Sequence, residues 1–269
     1  MYAGLVLTKY SGRLMGAHQK IDRVSRRHLT ELLPTSHNFP QIKDILKFEG
    51  KNGPDGIKRK SPGRDEPWHY LTPLSDDNHD FMAIIDEHYK ALVKYLKSNN
   101  IERAAFEAAW LAHAVVDGLT PAHHFPYEEK IAELRGGKTK ETRTTVSEKL
   151  LFKGDTFSKT ILNTARAYGP KGVMLAHFLF ESGFTFIVRP LRLPDARPKE
   201  PDFAEIQAKG YGDYFIHRAR EIAVLDMYDN YLKSGWTAKL SNQVRHILAP
   251  TMVKTVTMLW YAAALEADK

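Results

Sequence analysis

Apolar residues recur at helical spacing along most of the chain, and polar or proline-rich stretches separate these segments. No stretch alternates apolar and polar residues over the length of a strand, and no internal repeat is present. The sequence therefore predicts an all-α protein with a single multi-helix domain over residues 1–269. The pattern predicts helices at residues 17–33, 77–97, 101–118, 158–168, 173–188, 203–232 and 236–267.

Three separating segments have distinct compositions. Residues 35–67 are rich in Gly, Pro, Asn and Lys and contain the turn signal Gly53-Pro54-Asp55-Gly56, so we expect a long loop. Residues 128–170 form a basic insertion, which we expect to begin as a helical excursion interrupted at Gly136-Gly137. Residues 190–201 hold four prolines and predict a linker or an extended strap.

The composition restricts the chemistry. The 269 residues contain no cysteine, which excludes disulfides and thiolate metal ligands, so imidazoles, carboxylates or a chain terminus would have to hold any zinc. The formal charge of +7 favours polyanionic partners such as nucleic acid, anionic lipid headgroups or phosphorylated metabolites. A solvated basic face is the alternative interpretation of the same charge.

The apolar runs that could act as targeting or membrane segments are short in this sequence. The apolar run at residues 4–7 is shorter than the core of a signal peptide, about 7–15 residues. No run approaches the roughly 20 consecutive apolar residues of a membrane span. We therefore expect a cytoplasmic protein with no transmembrane segment, and secretion stays open.

The most informative motif lies on the apolar helix predicted at residues 101–118. His113 and Asp117 are four residues apart, so both side chains project from one face of the helix. Pro121 then turns the chain, and His123 follows where it can return toward the same cavity. An ionised aspartate among apolar residues is costly to bury without a cation or hydrogen bonds. This motif predicts a metal site.

A second pair, His177 and Glu181, repeats this spacing on another apolar helix. Paired histidine and carboxylate ligands from separate helices commonly build metal sites in helical proteins. The pairs His124/Glu128 and His217/Glu221 have the same spacing, but helical salt bridges favour it as well, and we interpret those two as structural.

In order, the chain carries His18, Asp55, His69, the His113-x3-Asp117-x5-His123 motif and the His177-x3-Glu181 pair. This order resembles the superfamily of zinc-dependent phospholipases C and fungal single-strand nucleases, over about residues 15–185. Thr120-Pro121-Ala122 is similar to the clostridial phospholipase branch. The resemblance implies an all-helical fold, in agreement with the apolar pattern.

The resemblance also implies a set of zinc ligands. His69, His113 and Asp55 would hold one Zn2+, and Asp117 would bridge it to another, while His123, His177 and Glu181 would hold the second. His18 would belong to a third, which in the family also uses the backbone amine and carbonyl of an N-terminal tryptophan. This chain begins with Met1-Tyr2, so we expect two zinc ions and leave the third open. Asp65 is a rival to Asp55.

The implied function is a phospholipase C-like phosphodiesterase that hydrolyses a phosphoester bond with metal-activated hydroxide. Asp55 would be the base or orienter of that water, and Trp68, Tyr70 and Phe125 would form substrate-binding walls. The substrate would be a phospholipid or another phosphodiester, with peripheral membrane contact a further expectation. The alternatives are a single-strand nuclease, which would bind nucleic acid, and a non-catalytic zinc-stabilised binding module.

Overall fold

A computed structural model describes residues 16–55, 70–137, 152–169 and 172–269 of the chain. Every regular element in these ranges is a helix, which confirms the predicted all-α class. Short 3-10 turns at Leu46–Phe48, Gly50–Asn52, Pro121–His124 and Pro194–Ala196 and a π turn at Val244–Leu248 link the main elements. The α-helices are α1 (Ala17–Leu32), α2 (Ile42–Ile45), α3 (His79–Lys97), α4 (Ile101–Gly118), α5 (Tyr127–Leu134), α6 (Phe157–Tyr168), α7 (Val173–Val188), α8 (Glu200–Ala223), α9 (Met227–Ser234), α10 (Ala238–Gln243) and α11 (Ala249–Ala267).

Helix α4 is the central element of the core. It begins where Asn100 Oδ1 accepts a hydrogen bond from the backbone N–H of Arg103 at 3.1 Å, which caps one free donor of the first turn. Alanines on its buried faces let α3 and α11 pack closely against it. Trp260 of α11 donates its indole N–H to the carbonyl of Ala108 at 3.0 Å. Helix α4 therefore holds its last turn in a fixed position within the core.

The end of α4 is fixed by close packing. Gly118 lies against two aromatic rings, and a Cβ atom there would come within 2.6 Å of Phe215 and 2.8 Å of Phe81. The chain then turns through Thr120, whose hydroxyl donates to the carbonyl of Val116 at 2.7 Å. This turn leads into Pro121–His124, which carries His123 back toward the face of α4 that presents Asp117.

Some predicted segments differ from the structure in their helix content or bounds. The stretch 203–232 is two helices rather than one, because the chain turns before Asp226, whose φ of +50° lies in the left-handed region and breaks the helical path. Helix α8 also contains a break at Gly210, with φ of +82°. The loop predicted at 35–67 contains α2 and two 3-10 turns in its described part.

The basic insertion contributes helices to the described part of the chain. Helix α5 occupies its start, as expected, and α6 lies near its end, while residues 138–151 and 170–171 lie outside the described residues. Ile131, Phe152 and Ala167 form a small apolar cluster of their own, against which Tyr70 and Phe125 pack. The insertion is therefore anchored beside the two aromatic residues predicted to contact substrate.

Two stretches, Phe157–Val188 and Ala238–Ala267, are long and apolar enough to be candidate membrane spans by length and composition alone. Core helices of globular proteins satisfy the same criteria, so this evidence is weak. Within the second stretch 67% of the apolar window is buried, as expected for a core helix, whereas in the first only 29% is buried. The first stretch includes both α6 and α7.

Candidate metal centre

Six of the predicted ligands form two compact groups of side chains. His18, His113 and Asp117 make the first triad, and His123, His177 and Glu181 make the second. Within each triad, one possible ligand atom from each residue lies within 4.8 Å of the others. The side chains come from α1, α4, the Pro121–His124 turn and α7, so four separate elements converge on one buried region.

Asp117 belongs to the first triad and also contacts the second. Its Oδ1 atom is 3.4 Å from Nε2 of His18 and 3.6 Å from Nδ1 of His123. Its Oδ2 atom is 3.4 Å from Nε2 of His113. The carboxylate therefore has the position expected of a group shared by two neighbouring metal ions.

The first triad is built on α1 and α4, which pack against each other. The imidazole rings of His18 and His113 stack in parallel, with centroids 3.8 Å apart. Asp55 approaches from the segment between α2 and α3, with its Oδ1 atom 3.7 Å from Nε2 of His113. His18 thus shares a group with His113, whereas the resemblance assigns it to a separate third metal.

The second triad depends on the one-turn spacing along α7. The Oε1 atom of Glu181 lies 3.0 Å from Nε2 of His177 and 3.1 Å from Nε2 of His123. The rings of the two histidines are nearly parallel, with centroids 5.1 Å apart. The pairing expected within α7 is present, and His123 joins it from the turn after α4.

The electrostatics of the two triads differ. Burial alone would lower the pKa of His113, but the carboxylates of Glu49 and Asp117 raise it to about 10, so this position favours a cation. Burial lowers the pKa of His123 to about 3, which leaves its imidazole neutral at pH 7. Burial would raise the pKa of Glu181, but nearby positive charge and hydrogen bonds with His123 and His177 hold the pKa well below its usual range. A neutral imidazole and an ionised carboxylate are the forms that bind a metal.

The donor set and its spacing fit zinc. Imidazole nitrogen and carboxylate oxygen are zinc ligands, and two atoms bound at about 2.1 Å in tetrahedral geometry lie roughly 3.4 Å apart. The nitrogen–oxygen distances within the two triads are 3.0–3.4 Å, close to that separation. The residues present therefore suit two zinc ions, and the assignment of a metal to them stays a prediction.

Two buried carboxylates near the first triad were missed by the sequence analysis. Glu49 lies between two 3-10 turns that follow α2, and its Oε2 atom is 3.3 Å from Nδ1 of His113. Asp22 is completely buried one turn after His18, and neither of its oxygens has a hydrogen-bond partner among the described residues. Burial and the charge of Glu49 raise its pKa well above the usual value. The His18-x3-Asp22 spacing was a signal for Asp22, whereas Glu49 has no motif.

Glu49→Gln is expected to weaken zinc binding about 10- to 100-fold, since carboxylates that orient a ligating imidazole have effects of this size. The amide keeps the shape of the side chain but removes the charge beside His113. Competition with a zinc-binding dye would measure the affinity. Glu107→Gln is the matched control, because Glu107 is also buried and contacts Nδ1 of a histidine, His88, at 2.8 Å outside both triads. Equal affinities for the two variants would refute an orienting role for Glu49.

A cavity of about 370 Å3 opens beside His123. Tyr70 packs its ring edge against His123 with centroids 5.6 Å apart, and the backbone N–H of Leu71 donates to the carbonyl of His123 at 3.1 Å. Phe125 lines the same cavity, so two of the three predicted wall residues lie next to the second triad. Polar and acidic side chains complete the lining, among them Thr72, Ser75, Asp77, Asp80 and Glu129.

Some predicted residues fall elsewhere. His69, Trp68 and Asp65 lie outside the described residues. Asp55 lies beside His113, and its choice over Asp65 stays a prediction. The two histidines interpreted as structural are outside both triads. His124 Nε2 lies 2.8 Å from the carbonyl of Gly118, and His217 belongs to an ion-pair network with Glu205.

No protein-family model and no curated protein matches the chain. Its fold is similar to that of alpha-toxin from Clostridium perfringens, isolated from the avian strain SWCP, in a crystal structure. The TM-score is 0.59 at 13% sequence identity, and the match covers 94% of this chain and 64% of the toxin chain. This chain therefore corresponds to less than two thirds of the toxin's length. At this identity the similarity establishes the fold alone, and that fold agrees with the predicted all-α class.

Proposed function

We propose that the chain is a zinc-dependent phosphodiesterase of the phospholipase C type that hydrolyses a phosphoester bond of a phospholipid. The observation that carries the proposal is the position of Asp117, whose carboxylate contacts His18, His113 and His123 and so joins the two triads. Two adjacent metal sites are a common basis for phosphoester cleavage. The order of the motifs and the likeness in fold to a clostridial toxin support the same assignment.

The residues divide the work as follows. His18, His113 and Asp117 would hold one zinc ion together with Asp55, and His123, His177 and Glu181 would hold the other. When bound, such a pair supplies electrophilic stabilisation of the phosphoryl oxygens and lowers the pKa of water toward 7. Asp55 is less buried than the triad of α1 and α4, with a side chain 15% exposed. It can therefore reach water at the edge of the site, orient it and accept its proton.

The cavity beside His123 favours a phospholipid over a nucleic acid. Its aromatic walls, Tyr70 and Phe125, adjoin a lining that includes Asp77, Asp80 and Glu129. Such carboxylates repel a polyanionic strand and attract a cationic headgroup, which can also lie against an aromatic face. We therefore favour a zwitterionic phospholipid such as phosphatidylcholine over single-stranded DNA.

Metal analysis combined with a paired assay tests the proposal. We expect at least two zinc ions per chain after gentle purification, and faster hydrolysis of phosphatidylcholine than of single-stranded DNA. Faster cleavage of DNA would instead favour the nuclease. Zinc without either activity would favour a binding module. Fewer than two zinc ions after zinc is added back would contradict the metal assignment itself.

A further inference from the structure

Helices α6 and α7 present large apolar side chains to solvent. Phe157 is 81% exposed and Phe186 is 75% exposed, values unusual for phenylalanine in a globular protein. We use the name α6–α7 apolar face for five of the exposed apolar residues on these helices, Phe157, Ile161, Leu162, Leu179 and Phe186. The two helices pack against each other, so these side chains belong to neighbouring elements.

The opposite faces of both helices pack against the rest of the protein. Helix α6 turns Ala167 inward to the small cluster with Ile131 and Phe152, which contacts Tyr70 and Phe125 beside the cavity. Helix α7 turns Glu181, Phe180 and Phe184 inward. The exposed apolar residues are therefore a second apolar surface, on helices whose inner sides form the metal centre and its rim.

Most of the exposed charges on α6, α7 and the residues next to them in the chain are positive, while α5, which packs against α6, carries exposed Glu129 and Glu133. Lys153, Lys159, Arg166, Arg189 and Arg192 are exposed in residues 152–169 and 172–192, where Asp155 is the one exposed acidic residue. Asp155 is paired with Lys159 at 3.1 Å. A surface of phenylalanine, leucine and isoleucine with basic residues around it has the composition of helices that lie in the interface of an anionic membrane.

We propose that the α6–α7 apolar face docks the protein on the surface of an anionic phospholipid bilayer. Exposed apolar side chains enter the headgroup region, and the basic residues contact anionic headgroups. Docking would hold the protein at the surface that contains the proposed substrate. The inference rests on the proposed function, because a substrate held in a bilayer is what the docked site would reach.

A second copy of the chain fits this face less well than a membrane. Two copies joined through the same face would bring their basic residues together, and like charges at close range oppose association. An anionic bilayer offers both the apolar interior and the opposite charge. The charge pattern therefore favours lipid as the occupant.

Co-sedimentation with vesicles tests the docking surface. We expect the full chain, loaded with zinc, to bind vesicles of phosphatidylcholine mixed with phosphatidylglycerol more strongly than vesicles of phosphatidylcholine alone. The double variant Phe157→Ser/Phe186→Ser should lose at least about tenfold in partitioning to the mixed vesicles, since two large apolar side chains no longer enter the lipid. Val224→Ser is the control, because Val224 is an apolar residue that is 64% exposed and lies outside α6 and α7.

A water-soluble short-chain phosphatidylcholine, used below its micelle concentration, separates docking from catalysis. The double variant should hydrolyse it at the rate of the unmodified chain, while losing activity on vesicles. If neither protein hydrolyses it but the unmodified chain still binds vesicles through this face, the proposed function fails and the docking surface stands. Equal vesicle binding by both proteins would overturn the docking surface. The docking surface would also be overturned if the unmodified chain did not bind vesicles and instead formed a dimer that the double variant dissociates and the control variant does not.

Discussion

Asp117→Asn is expected to lower the rate of phosphodiester hydrolysis by about 100-fold or more and to remove at least one of two bound zinc ions. Replacement of carboxylates that only orient ligands already costs about 10- to 100-fold, and Asp117 contacts histidines of both triads directly. The amide fills the same space but lacks the charge that would offset two dications. Steady-state rates on short-chain phosphatidylcholine and elemental analysis would measure the two effects.

Two variants serve as controls for this result. Glu181→Gln alters a carboxylate that contacts His123 and His177 in one triad, so it should remove no more than one zinc ion and cost less activity. Asp202→Asn alters another buried carboxylate, which accepts from Tyr214 outside the centre, and should leave metal content unchanged. Full metal content and a near-normal rate in Asp117→Asn would show that Asp117 is an ordinary helix carboxylate.

Removal of zinc by a chelator is expected to abolish activity and to lower the melting temperature by on the order of 10 °C. A ligand present at 1,000 times its Kd stabilises the folded state by about 4 kcal/mol, and a chain of this size shifts by about 2–4 °C per kcal/mol. The buried carboxylates of Asp22, Glu49 and Asp117 lie near one another around His113, so without a metal ion protons must neutralise part of their charge, in line with the raised pKa values of Asp22 and His113.

Zinc added back should restore both activity and melting temperature, whereas magnesium should not, because imidazole ligands favour zinc. Calorimetry and activity measured on the same samples would follow the two recoveries. An unchanged melting temperature after complete removal of zinc would mean that the triads are stable without a cation. The proposed metal centre would then lose its electrostatic basis.

Local patterns in the sequence were enough to predict the helices that carry the centre. The helical period predicted α4 and α7 with the bounds that the structure has, because both are apolar runs with clear breaks on either side. The four-residue spacings of His113 with Asp117 and of His177 with Glu181 required each pair to share a helix face, which follows from 3.6 residues per turn. Local geometry of this kind depends only on neighbouring residues, so a single sequence can reveal it.

The grouping of the ligands was decided by packing between distant segments. His18 belongs with His113 because α1 packs against α4, and Glu49 reaches His113 because two short turns after α2 pack on the same helix. No periodicity links these positions. The division of the stretch 203–232 likewise depends on the backbone at Asp226, for which the apolar pattern gave no signal.

The exposure of α6 and α7 was also decided by the tertiary structure. An apolar pattern indicates which residues can be buried, but not whether another element is available to cover them. Phe180 and Phe186 are the same residue type on one helix, yet the first packs against Trp236 and the second faces solvent. Burial depends on neighbours brought together from the whole chain, whereas helical spacing depends on the few residues of one turn.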